Sequence, residues 1–137
     1  MRLIVLDTNV IVSARLSPGG APAKLVMEHV LTGGVQVATC PSVVQEYLEV
    51  VHRPKFARFG FPPPWLEYLI EDSLQMPDPA AWPVELPDAK DSVFLALAHS
   101  SGAWLVTGNL KHFPKSVRRG VTVISPAEYL ADLEKEK

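Results

Sequence analysis

The stretch Arg2-Leu3-Ile4-Val5-Leu6-Asp7-Thr8-Asn9 decides how the fold is read. A short apolar run, rich in branched side chains and without alternation, ends abruptly in a polar triplet. Such a run reads as a strand buried on both faces, as in a parallel sheet. Asp7 interrupts it, and a buried carboxylate needs a partner. A plainer role is equally open at this point: Asp7 or Thr8 could cap the helix that begins at Asn9.

Working outward, a helical stretch through Val10–Leu16 is broken by Ser17-Pro18-Gly19-Gly20. A second helix starts at Pro22, carries Leu25, Val26, His29 and Val30, and closes at Gly33-Gly34. Val35–Cys40 is the next strand. Pro41-Ser42 opens a helix through Val51, with Val43, Val44, Tyr47, Leu48 and Val51 at helical spacing. Pro62-Pro63-Pro64 marks a turn ahead of a helix over Trp65–Gln75, and the proline-rich Met76–Pro87 is a loop. Asp91–Ser101 is a helix apolar nearly all round, hence buried. Trp104–Val106 and Val121–Ile124 are strands, and Pro126–Glu134 is the last helix. Strands alternating with helices predict a three-layer α/β/α domain over residues 1–137, with a mostly parallel central sheet of four to five strands.

Composition agrees with one globular domain. The 137 residues are 47% hydrophobic and 20% charged, which excludes intrinsic disorder. The single cysteine, Cys40, forms no internal disulfide and no cysteine-based zinc site; at the end of a buried strand it reads as core. No apolar run approaches the ~20 residues of a membrane span, so a reducing, cytoplasmic setting is expected. A formal net charge of −2 excludes a general polyanion binder and leaves only local patches for nucleic acid.

In a parallel α/β sheet, ligands bind at the edge where strand C-termini meet helix N-termini. Asp7 ends the first strand, Glu46 lies early in the helix after the second, Asp88 and Asp91 precede the buried helix, and Thr107-Gly108-Asn109 follows a later strand. Glu46 is the weakest of these on periodicity, since it projects away from the Val44/Tyr47/Leu48 stripe, as Glu49 does. Asp88 reads best as a helix cap, and Asn109 also suits a turn after Gly108. Clustered carboxylates raise one another's pKa unless a cation compensates. Oxygen-only donors without cysteine suit Mg²⁺ or Mn²⁺, and such sites serve phosphoryl chemistry.

Three blocks resemble those of the PIN-domain ribonucleases, the family that includes VapC-type toxins of toxin–antitoxin pairs. They are IVLDTNVIVSA with Asp7, VVQEYLEVVHRPK with Glu46, and DSVFLALAHSSGAWLVTGN with Asp91 and Thr107-Gly108-Asn109. The resemblance spans nearly the whole chain. It implies Mg²⁺- or Mn²⁺-dependent endonucleolytic cleavage of RNA, with Asp7 and Asp91 as direct metal ligands and Glu46 assisting directly or through water. Thr8, Asn9, Thr107 and Asn109 would orient those groups or the attacking water. It also implies a small antitoxin partner that covers the cleft, and a homodimer. The family often carries a fourth acid where this chain has Asn109, which keeps an acceptor and removes one negative charge.

Two basic clusters are candidates for holding substrate phosphates. One is Lys111, Lys115, Arg118 and Arg119 after the Asn109 turn; His112 among them could be taken for a general base, but a lone His in a basic loop is more often a phosphate contact or without a role. The other is Arg53, Lys55 and Arg58, interleaved with Phe56 and Phe59. Trp65, Trp82 and Trp104 read as core or interface. A second reading is a non-catalytic PIN-like module that binds RNA or protein, its metal site weakened by Asn109. Phosphate-transfer domains of the receiver or dehalogenase type fit poorly, because Asn9 stands where a dehalogenase needs its second acid.

Overall fold

The structure, a computed structural model, describes residues 2–136. The opening run forms β1 (Arg2–Leu6), the middle strand of a five-stranded sheet. The others are β2 (Val35–Thr39), β3 (Leu74–Gln75), β4 (Trp104–Val106) and β5 (Val123–Ile124), in the order β3-β2-β1-β4-β5. All four pairings are parallel. The central position explains the missing alternation: Ile4, Val5 and Leu6 are fully buried.

The helices are α1 (Thr8–Leu16), α2 (Ala21–Leu25), α3 (Pro41–Val51), α4 (Leu66–Asp72), α5 (Ser92–Ser101) and α6 (Pro126–Glu134). α2 runs on as a π-helical turn, Val26–Val30. α5 packs against β1, β2 and β4, and its Phe94, Leu95, Ala96, Leu97 and Ala98 are all buried. The α/β architecture and the parallel sheet are thus as the periodicity predicts. No helix among the described residues is long and apolar enough to cross a membrane.

Three local readings are corrected. The helix expected over Trp65–Gln75 ends at Asp72, and Leu74–Gln75 leaves it as the edge strand β3, pairing with Ala38 and Thr39. Ser73 makes the switch. Its backbone turns extended, while its hydroxyl donates to the Ile70 carbonyl (2.6 Å) and lies 2.7 Å from Thr39 Oγ1. Two exposed residues carry no alternation, so the strand leaves no pattern to read. In β5 the strand starts at Val123, two residues later than expected. In α3 the buried stripe is Val43, Tyr47, Val50 and Val51, while Leu48 is exposed. That rotates the helix, so Glu46 shares the Val43/Tyr47/Val50 face and is half-buried, whereas Glu49 is exposed.

Two contacts pin the strand ends. The buried Tyr47 hydroxyl of α3 donates to the Leu6 carbonyl. The ladder continues past the strands, with Asp7 N–H donating to Val106 O (3.0 Å) and Thr107 N–H to Ile124 O (3.0 Å). Asp7 and Thr107 are therefore held side by side where β1 and β4 end.

Candidate functional site

Asp7 occupies the N-cap position of α1, yet its side chain makes no cap hydrogen bond. Its Oδ2 instead accepts from the Thr107 hydroxyl (2.8 Å) and from Asn9 Nδ2 (3.2 Å). Asn9 Nδ2 also donates to Thr107 Oγ1 (3.3 Å), and its Oδ1 accepts from the Gly108 amide (3.0 Å). A side chain at position 108 would crowd that oxygen, because a Cβ there would lie 3.4 Å from it. The capping reading of Asp7 is thereby excluded. Burial is the main force on this carboxyl and pushes it up to about 6; the Thr107 hydrogen bond opposes the shift and the charge of Asp91 adds to it. The hydroxyl of the neighbouring Thr8 is buried without a partner.

Asp91 ends a 3-10 turn, Ala89–Asp91, at the mouth of α5, and it too makes no cap bond. Asp88 does the capping, accepting from the Lys90 amide (3.0 Å), as its sequence position suggests. Asp91 Oδ2 lies 2.8 Å from His112 Nδ1, and His112 Nε2 lies 2.8 Å from Asn109 Nδ2. Burial raises the Asp91 carboxyl, while the His112 hydrogen bond pulls it down. The contact of His112 with a carboxylate of the site is one that the sequence does not mark. The residue's only local signal is its place three residues after Asn109.

Glu46 is half-buried on the face of α3 that carries Val43 and Tyr47. Among the described residues, no three His, Cys, Asp or Glu side chains stand together as a ready-made metal cage. The donor set still fits one kind of cation. Both carboxylates are held through Oδ2, and neither Oδ1 takes part in those bonds. Two hard oxygen donors beside solvent suit Mg²⁺ or Mn²⁺, of which Mg²⁺ commonly keeps several waters and takes one or two carboxylates.

Arg53, Lys55 and Arg119 are not gathered at the acidic edge. The strands are parallel, so α1, α3 and α5 start at that edge and end at the other. Arg53 and Lys55 follow the C-terminus of α3, about 16 Å of helix away from its start. The same segment closes at Gly60 against the guanidinium of Arg15, in the last turn of α1. Arg119 lines a cleft with Trp82, His99 and Ser100, at the C-terminal end of α5, and Arg118 Nε donates to the Phe113 carbonyl (2.8 Å). Lys111 lies in the turn between Asn109 and His112, whose ring reaches Asp91. Lys90 stands beside Asp91 in sequence and carries no motif that marks it in advance.

A family model described as "PIN domain" matches residues 3–111. Among solved structures, the chain is similar to VapBC2 from Rickettsia felis bound to a promoter DNA fragment, at 16% identity and a TM-score of 0.62. That match covers 90% of this chain and 98% of that one. DNA-bound VapBC from Salmonella typhimurium aligns at 15% identity and a TM-score of 0.62, over 92% and 99% of the two chains. PAE2754 from Pyrobaculum aerophilum aligns at 16% identity and a TM-score of 0.57, over 98% and 90%. At these identities the likeness is one of fold. No curated protein matches the sequence.

Proposed function

The chain belongs to the PIN domain family, and from that premise we propose that it is a Mg²⁺- or Mn²⁺-dependent endoribonuclease, the toxin of a toxin–antitoxin pair. One observation carries the reading: Asp7 and Asp91, 84 residues apart in sequence, are both buried at this sheet edge, and the charge of Asp91 helps to raise the Asp7 carboxyl. Buried carboxylates near one another raise each other's pKa unless a cation compensates, and a bound divalent ion would do so here.

Asp7 and Asp91 would hold the cation through Oδ1, and Glu46 would reach it through water from the face of α3. A bound divalent ion supplies the charge that keeps both acids ionised, activates water and offsets charge on the phosphate oxygens. The chain's own residues do the rest. Thr107 and Asn9 hold Asp7 in one orientation, leaving Asp7 Oδ1 outside those bonds. Lys111 and Lys90 flank the acids and take phosphates of the RNA. A small antitoxin covering this edge, a homodimer and a cytoplasmic, single-domain protein complete the proposal; the likeness to VapBC structures supports the antitoxin.

The non-catalytic alternative, an RNA- or protein-binding module, draws on one observation, the lack of a cluster of three possible metal ligands among the described residues. Incubating the purified protein with mixed-sequence RNA in Mn²⁺, and separately in EDTA, tests both readings. Metal-dependent cleavage is expected. Asp7→Asn and Asp91→Asn should each lower it by at least ~100-fold with the circular dichroism unchanged, since even outer partners of a metal site are worth 10–100-fold. Binding without cleavage would establish the alternative, and a folded variant at wild-type rate would remove that acid from the site.

A further inference from the structure

We propose that Asn109 and His112 are a directional positioning device for Asp91, in which the His112 ring accepts at Nε2 and donates from Nδ1. The role in metal binding rests on the nuclease reading above; the hydrogen-bond direction does not.

The direction follows from donors and acceptors alone. An amide Nδ2 only donates, so His112 Nε2, 2.8 Å from it, must accept. A neutral imidazole accepting at one nitrogen carries its proton on the other. That Nδ1–H then points at Asp91 Oδ2, 2.8 Å away, an atom that only accepts when ionised. Each donor meets one acceptor. A carboxylate at position 109 would have no proton to offer Nε2.

Local backbone explains why the two side chains meet. Leu110–His112 is a 3-10 turn in which the His112 amide donates to the Asn109 carbonyl (3.0 Å). Side chains at i and i+3 eclipse in such a turn, so Asn109 and His112 stack on one side. The Asn109 amide in turn donates to Thr107 Oγ1 (3.0 Å), whose hydroxyl donates to Asp7 Oδ2. One loop, residues 107–112, thus grips both acids, Asp7 at its start and Asp91 at its end. Asn109 stands in the middle as an orienting residue, with His112 acting on Asp91 and not on the substrate.

Long-range ¹H–¹⁵N spectra of the four imidazoles in the metal-free protein at neutral pH read the tautomer directly. His52 Nδ1 also donates, to the Leu48 carbonyl (2.7 Å), so we expect a ring with Nδ1 protonated and Nε2 bare whose signal persists in His52→Gln and is lost in His112→Gln. An Nε2–H or doubly protonated His112 would overturn the direction. Calorimetric titration with Mn²⁺ reads the consequence. His112→Asn keeps a donor at the Nδ1 position and should bind Mn²⁺ within about threefold of wild type. His112→Gln and Asn109→Ala, which lose or misplace it, should bind about tenfold more weakly. If His112→Asn falls as far as His112→Gln while remaining folded, the positioning role is overturned. A wild type that shows the expected tautomer and cleaves no RNA would sink the nuclease reading alone.

Discussion

Asp7 and Asp91 are both buried carboxylates with one oxygen held and one left over, yet their supports differ in kind. Asp7 is gripped by Thr107, a fully buried residue continuing β4, and by Asn9 in the first turn of α1. Asp91 is gripped by His112, whose side chain is 40% exposed on a surface turn. The sheet ladder sets the first geometry and a loop sets the second. The Asp7 half is therefore rigid and energetically expensive to alter, while the Asp91 half is adjustable at small cost in stability.

The strongest way to break the contrast is Asp7→Asn in the metal-free protein. The folded carboxyl is raised to about 6, above the roughly 4 of an unfolded chain, so folding favours its protonated form. The penalty of ionising it is absent below pH about 4, grows as pH rises through about 6, and is full above that. Asp7→Asn should then stabilise the metal-free protein by about 2–3 kcal/mol near pH 7.5 and hardly at all near pH 3.5, by urea denaturation. Mn²⁺ should stabilise the wild type and not the variant. A difference independent of pH would remove burial of the charge as its cause.

Removing the supports sharpens the comparison. Thr107→Val takes a hydrogen bond from a buried carboxylate and should destabilise by about 2 kcal/mol. His112→Ala breaks a partly exposed contact and should lose less than about 1 kcal/mol. Equal losses in chemical denaturation would mean that the two halves are equally rigid.

Smaller effects distinguish the edge from the rest of the surface. Lys90→Ala with Lys111→Ala should flatten the slope of log RNA affinity against log salt by about one to two units. Arg119→Ala should leave it unchanged, because Arg119 lines the cleft with His99 and Ser100 at the C-terminal end of α5. The reverse result would move the RNA track to the other end of α5. Smallest of all is Asp88→Ala, which removes a cap and should lower stability by about 1 kcal/mol or less with little change in cleavage. A large loss of cleavage would make Asp88 a member of the site.

How far the site could be read in advance differs between its two halves for the same reason. Asp7 and Thr107 follow apolar strands, and a parallel sheet brings strand ends to one edge, so their meeting was legible. Asp88 was legible as a cap from its spacing to the helix it precedes. His112 was not, since its contact with Asp91 crosses 21 residues through a turn whose path no periodicity records. The side of α3 that Glu46 faces turned on which of Val44, Leu48 and Val50 is buried, and all three are apolar in the sequence. β3 left no trace because two exposed residues have no face to alternate.

Apolar runs, helical spacing and the Gly and Pro breaks by themselves determined the alternation of strands and helices, the parallel sheet and the placing of Asp7 and Asp91 at its carboxyl edge. Those features arise from local burial patterns that each segment carries within itself. The tertiary structure decided which oxygen of each acid is held, that His112 bridges Asn109 and Asp91, which face of α3 carries Glu46, and that Arg119 lies at the other end of α5. These depend on how a loop returns along the sheet and how far a helix is rotated about its axis. Both are set by packing between segments distant in sequence, which no local pattern encodes.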